Sequence, residues 1–297
     1  MSTILFALPG NDDITTRLAA ALGADTGTLE VRRFPDEEVH LRFASEVAGK
    51  AVVLVSTLDR PDTKFLALAF AAATARELGA TNVGLVAPYL AYMRQDRQFA
   101  PGDAVTAPIF AALVSHSFDW LVTVDPHLHR IHNLEEIYAI PARAAHATKL
   151  IAAWIAANVQ DAVLIGPDEE SAQWVGAVAK EAGKPFIVLT KIRHGDRDVE
   201  VSIPEVERWR AATPVLVDDI ISTGETMVQT LEHLAAAAMN PAVCVGVHAV
   251  FALGALRDLQ AAGAGRIVTT NTIAHETNGI DVSGLLAEAV RSIGSSL

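Results

Sequence analysis

Several things are scarce in this 297-residue chain, and each scarcity narrows what it can be. It has one cysteine, Cys244, so no internal disulfide can form. That residue sits in an apolar run, which predicts a buried, inert thiol and a reducing compartment. Basic residues are few: 23 Lys and Arg stand against 35 Asp and Glu, a formal net charge of -12. A nucleic-acid backbone repels such a chain unless one basic patch dominates locally, so no nucleic acid is expected as a partner. Long hydrophobic runs are missing as well. The apolar stretch 65–75 stops at Arg76, well short of the roughly 20 residues that a membrane span needs. Residues 1–8 have no basic region ahead of their apolar positions, so no signal peptide is expected. The expectation is a cytoplasmic protein with no membrane partner. Neither a Walker-type Gly-x-x-x-x-Gly-Lys motif nor Gly-x-Gly-x-x-Gly occurs, which removes the P-loop and dinucleotide-binding alternatives.

What is abundant is apolar residues, 51% of the chain against 20% charged, enough for a large core. Short β-branched runs alternate with longer alanine-rich segments of helical period. Strands are predicted at 51–56, 82–87, 120–124, 162–165, 186–189, 214–217, 242–247 and 266–269. Helices are predicted at 63–78, 107–115, 148–158, 171–182, 226–238 and 252–262. Continuous apolar strands between helices predict an α/β fold whose mainly parallel sheets are covered by helices on both faces. Length suits about two domains of roughly 150 residues. The boundary is expected near 141–146, giving domains 1–145 and 146–297, with the C-terminal helix packing back on the first. A faint repeat supports two similar halves: VVLVSTLDRPDTK at 52–64 and PVLVDDIISTGET at 214–226 share a strand, a loop and a helix start. The acidic pair and the glycine occur in the second copy alone.

The second copy is the most informative stretch. An apolar strand runs into Asp218 and Asp219, then into a loop with Ser222, Thr223, Gly224, Glu225 and Thr226, and then into a helix. Free backbone N–H groups and partial positive charge at a helix start bind phosphate readily. Gly224 permits a backbone shape that aims successive N–H groups inward, and the hydroxyls add donors. The two carboxylates can accept from sugar hydroxyls or hold a hard metal ion. A plain capped turn would explain Thr223 but hardly two acids where a strand ends.

VDDIISTGET resembles the phosphoribosyl-diphosphate loop of the type I phosphoribosyltransferase fold, in the variant used by ribose-phosphate pyrophosphokinases. Four other segments point to that family. RFPDEE at 33–38 resembles its Arg-Phe-x-Asp-x-Glu signature, which implies ATP binding by Phe34, Asp36 and Glu38 across a subunit interface, hence self-association. PYLAYMRQDR at 88–97 resembles its Pro-Tyr-x-x-Tyr-x-Arg-Gln-Asp-Arg motif and follows a predicted strand, where ligands bind in open α/β folds. Arg94 and Arg97 offer planar donor forks to phosphates, Gln95 can read a base edge, and Asp96 completes the motif. VDPHLHRIH at 124–132 is similar to the Asp-x-His pair, making Asp125 and His127 metal ligands or phosphate contacts near ATP. Residues 191–203 read as a β-flap whose Lys191 and Arg193 fit the family's mobile Lys-x-Arg pair.

The sequence departs from the pattern in GPDEES at 166–171. Asp168 matches a ribose 5-phosphate or metal contact, but Glu170 stands where glycine is common. Ser222 and Glu225 likewise replace a frequent Asp and a frequent Gly. The resemblance implies two phosphoribosyltransferase-like domains, a shared ATP site, Mg²⁺ as cofactor, and transfer of a diphosphoryl group from ATP to ribose 5-phosphate. Two other readings stay open: a phosphoribosyltransferase, which needs a base-binding hood not found here, and a non-catalytic regulatory subunit, which should have lost flap or metal residues.

Overall fold

The computed structural model describes residues 2–166, 172–193, 199–202 and 206–294, and the chain divides into two compact units. The first comprises 1–146, 272–274 and 282–297; the second comprises 147–271 and 275–281.

In the first unit the chain runs through β1 (Thr3–Ala7), α1 (Asp12–Leu22), β2 (Asp25–Gly27), β3 (Leu29–Arg33), β4 (Val39–Phe43), β5 (Ala51–Val55), α2 (Phe65–Glu77), β6 (Asn82–Ala87), α3 (Thr106–Ser117), β7 (Trp120–Val124) and β8 (Ala142–Ala145). Its sheet has the order β2-β1-β5-β6-β7-β8, with every pairing parallel. β5, β6 and β7 are continuous apolar runs because helices cover both faces; Val52, Leu54, Leu85 and Val122 are wholly buried. β3 and β4 form a separate antiparallel hairpin.

The second unit repeats this plan with α4 (Thr148–Asn158), β9 (Ala162–Gly166), α5 (Ala172–Ala182), β10 (Phe186–Val188), β11 (Thr190–Arg193), β12 (Val199–Ser202), α6 (Val206–Trp209), β13 (Thr213–Ile221), α7 (Glu225–Ala236), β14 (Ala242–Ala249), α8 (Ala255–Ala261), β15 (Ala264–Thr270) and β16 (Asn278–Ile280). Its parallel sheet is ordered β10-β9-β13-β14-β15-β16, and β11 pairs antiparallel with β12. The last helix, α9 (Ser283–Gly294), packs on α1, β7 and β8 of the first unit.

Most predicted strands and helices lie within a few residues of the observed elements. One difference bears on the site. The strand expected at 214–217 continues through the acidic pair to Ile221, because Asp218, Ile220 and Ile221 stay paired with Gly246, His248 and Ala249 of β14. The loop after it shrinks to residues 222–224.

Candidate active site

Parallel sheets put the loops that follow their strands along one edge, and several of the predicted motifs leave strands there. In the first unit residues 88–97 leave β6, and residues 125–132 leave β7. The RFPDEE segment forms the turn of the β3–β4 hairpin. Its Phe34 N–H donates to the Glu38 carbonyl at 2.9 Å, and Glu37 takes a left-handed φ of 70°. Arg33 braces the turn, donating to the carbonyls of Glu37 (2.8 Å) and Thr63 (2.6 Å). Phe34 is 38% exposed, with the Arg32 guanidinium 4.6 Å above its ring. That leaves an aromatic face available for stacking. Asp36 and Glu38 are exposed beside it.

The arginine-rich segment is pinned from inside. Met93 is buried, the Tyr92 ring packs 4.8 Å from Phe110, and the Tyr92 hydroxyl donates to Asp62. That bond holds the Tyr92 phenol above its ordinary pKa, because ionisation would set a second negative charge against the carboxylate. Arg94 is exposed and meets no carboxylate among the described residues. Arg97 lies 5.0 Å over Phe99. Gln95 accepts from the Thr106 hydroxyl at 2.7 Å, which spends its carbonyl oxygen on the approach to α3 and leaves its amide N–H₂ for a ligand. Asp96, with a side chain only 5% exposed, pairs with Arg130 at 3.2 Å.

After β7 the backbone turns sharply, with positive φ at Asp125 (32°) and His127 (55°). Such conformations are strained for residues with a Cβ and cluster at functional sites. Asp125 is 8% exposed, and its carboxylate meets Nδ1 of His146 at 2.8 Å. The hydrogen bond to Asp125 raises the His146 pKa above its usual value. The His127 and His129 rings lie 4.3 Å apart, while His132 joins no ligating group among the described residues. Sequence reasoning overlooked Arg130 and His146. A polar residue directly after a parallel strand could have flagged His146; Arg130 carried no comparable signal, since its partner is 34 positions away.

In the second unit Asp218 and Asp219 are half-buried at the end of β13, and the Asp219 N–H donates to the Asp218 carboxylate at 2.9 Å. Gly224 occupies the position before α7 with φ 73°, the left-handed conformation for which glycine is suited. Ser222 is half-buried, and Thr223, Glu225 and Thr226 are exposed around that helix start. Lys191 and Arg193 lie two positions apart on β11, while the flap turn at 194–198, Asp168 and Glu170 fall outside the described residues.

Comparison with known proteins supplies the last observation. Residues 3–117 match the family described as the N-terminal domain of ribose phosphate pyrophosphokinase, and residues 133–283 match the phosphoribosyl transferase domain. The chain is 34% identical over 279 residues to a ribose-phosphate pyrophosphokinase of Methanopyrus kandleri, covering 93% of this chain and 94% of that protein. It is 32% identical to the protein of that name from Methanothermobacter thermautotrophicus, over 89% and 91% of the two chains. A crystal structure of phosphoribosylpyrophosphate synthetase from Mycobacterium smegmatis has the same fold, with a TM-score of 0.86 at 21% identity over the whole of both chains. With matches to both halves in the same order along the chain, this protein belongs to the ribose-phosphate pyrophosphokinase family.

Proposed function

We propose that the chain is a ribose-phosphate diphosphokinase. O1 of ribose 5-phosphate attacks the β-phosphorus of ATP and loses its proton; the oxygen bridging the α- and β-phosphorus atoms leaves with AMP. The products are 5-phosphoribosyl 1-diphosphate and AMP. The observation that carries this reading is the pairing, in one chain, of the family's N-terminal domain with a second half bearing the VDDIISTGET loop.

The residues divide the work by charge. Phosphoryl transfer needs alignment and neutralisation more than covalent catalysis. Arg94, exposed and without an acidic partner among the described residues, is suited to meet the triphosphate; Lys191 and Arg193 add charge from the flap as catalytic cations. Phe34 supplies a stacking face for adenine, Asp36 and Glu38 accept from its amino group, and Gln95 donates to a base edge. Asp96 holds Arg130, and Arg97 lies beside the same segment. The N–H groups and hydroxyls of residues 222–226 receive the 5-phosphate, while Asp218 and Asp219 accept from the ribose hydroxyls. Asp168 is assigned to the sugar phosphate or the metal through the family resemblance.

Mg²⁺ fits the carboxylates of either unit taken by itself, since Asp125 in the first and Asp218 and Asp219 in the second are hard oxygen donors, whereas imidazole suits softer metals. His127 is therefore better placed in the scheme as a phosphate contact. Bound with ATP, Mg²⁺ would supply neutralisation of the phosphate charge.

Phosphorus NMR of the purified protein with ATP, Mg²⁺ and ribose 5-phosphate tests the proposal. AMP together with a new C1-diphosphate signal is expected; ADP alone would indicate a different transfer, and no turnover would favour the regulatory-subunit reading. If Phe34 serves a neighbouring subunit's ATP, turnover per chain should fall steeply on dilution, read against the mass measured by light scattering.

A further inference from the structure

The two sheets share one strand order, and the hairpins occupy equivalent places in it. In each unit an edge strand (β2 or β10) leads into an antiparallel hairpin (β3–β4 or β11–β12), and the chain then enters the third strand of the sheet (β5 or β13) and a helix (α2 or α7). Residues 56–64 are thus the first unit's counterpart of the VDDIISTGET loop. Its own sequence, STLDRPDTK, lacks the acidic pair and the glycine. The position is nonetheless not filled in. A cavity of about 260 Å³ lies there, between that loop, the base of the hairpin and the start of α2.

Two features of its wall point to a ligand. Ser56 lines the cavity, is 1% exposed, and its hydroxyl has no hydrogen-bond partner among the described residues. A buried hydroxyl left unpaired is costly, and an acceptor entering the cavity beside Ser56 would relieve that cost. Two cations share the wall. Lys64 donates to the Thr57 carbonyl at 3.1 Å and contacts Asp59, which uses two of its three N–H groups. Arg33 spends two donors on carbonyls, which do not cancel its charge, and its nearest carboxylate is Glu37 at 3.9 Å. The rest of the wall is apolar, from Leu8, Val31, Val39 and Ala67. The volume falls just below the usual 300–1,000 Å³ of small-molecule sites, so the occupant must be compact.

We infer that the first unit holds a second binding site, for a compact organic oxyanion, in the place where the second unit has its phosphate loop. The anionic head meets Arg33, Lys64 and the Ser56 hydroxyl, and a short apolar body lies against Val31 and Val39. Because those valines flank the RFPDEE turn, occupancy would brace the hairpin that presents Phe34. A phosphate ester and a short carboxylate share the required chemistry. The inference stands whether or not the chain makes phosphoribosyl diphosphate.

Hydrogen–deuterium exchange of the full-length protein, read by mass spectrometry, separates this site from the other by peptide. Inorganic phosphate and isobutyrate are the probes, each at millimolar concentration. At least one should slow exchange in residues 29–43 and 56–67 by twofold or more, and which one succeeds names the head group. Protection confined to residues 213–228 would place binding at the VDDIISTGET loop and overturn the inference, as would no protection with either probe. Ser56→Ala should abolish the effect at 29–43 and 56–67, leave 213–228 responsive, and melt no lower than wild type without ligand. An unchanged response in Ser56→Ala also overturns it. Should that variant fail to fold, Ala67→Leu, which fills the cavity from α2, makes the same comparison.

Discussion

At the scale of single residues, burial decides which groups can react. Cys244 is wholly buried in β14, and burial pushes its thiol up to about 12. At pH 8 only about one thiol in ten thousand would be ionised, and that one is out of reach. A disulfide reagent at that pH should therefore label no thiol in the native protein and one per chain after unfolding in guanidinium, measured by released chromophore. Lys191 presents the opposite case, a charge that the proposed chemistry needs. Lys191→Ala should lower turnover by about 10²–10³ while leaving the circular dichroism spectrum intact, by analogy with loss of one preorganised electrostatic donor. Activity within threefold of wild type would remove Lys191 from the scheme. These residues were legible because chemistry names them: a lone cysteine in an apolar run, a Lys-x-Arg pair in an alternating hairpin. Arg130 and His146 were not, because what matters about them is a partner 34 or 21 positions away.

At the scale of elements, most apolar strands declared themselves; β1 (TILFA), apolar and buried at its centre, did not, and neither did the polar ones. β6 and β7 match residues 82–87 and 120–124 because a strand buried on both faces reads as a nearly continuous apolar run. The β3–β4 hairpin (LEVRR and VHLRF) is half-exposed and charged, so its period was hidden, and RFPDEE was recognised by its motif while the strands on either side of it went unassigned. Glycine positions in strands also took meaning only from their neighbours. A Cβ on Gly84 would stand 1.9 Å from the Trp120 ring, which crosses from β7 and donates its indole N–H to Asn82 at 2.7 Å. Gly84→Ala must displace that ring, and overpacking of this kind costs about 1–3 kcal/mol. Thermal unfolding should shift down by several degrees, roughly 2–4 °C per kcal/mol for a unit of this size. An unchanged midpoint would mean that the ring moves aside freely.

At the scale of the molecule, the end of the chain returns to its first unit. α9 buries Leu286, Ala287 and Ile293 against α1, β7 and β8, and Arg291 donates to the Ala21 carbonyl. Burying one Leu or Ile contributes about 1.5–3 kcal/mol. Ending the chain after Asp281 should therefore destabilise the first unit by about 5 kcal/mol, with the loss read as fast amide exchange in α1 and β8. Retained protection there would show that α9 is dispensable to that unit.

Read alone, the order of residues determined the class of fold, the alternation of strands and helices, and the motifs that mark the family, because these depend on local periodicity and on side-chain chemistry. Tertiary structure decided the rest. It extended β13 through the acidic pair by pairing it with β14, tied Asp125 to His146, and left Ser56 without a hydrogen-bond partner among the described residues, in a cavity where the first unit mirrors the VDDIISTGET loop. Each of these depends on which distant segments meet, and a contact between distant segments leaves no period in a sequence.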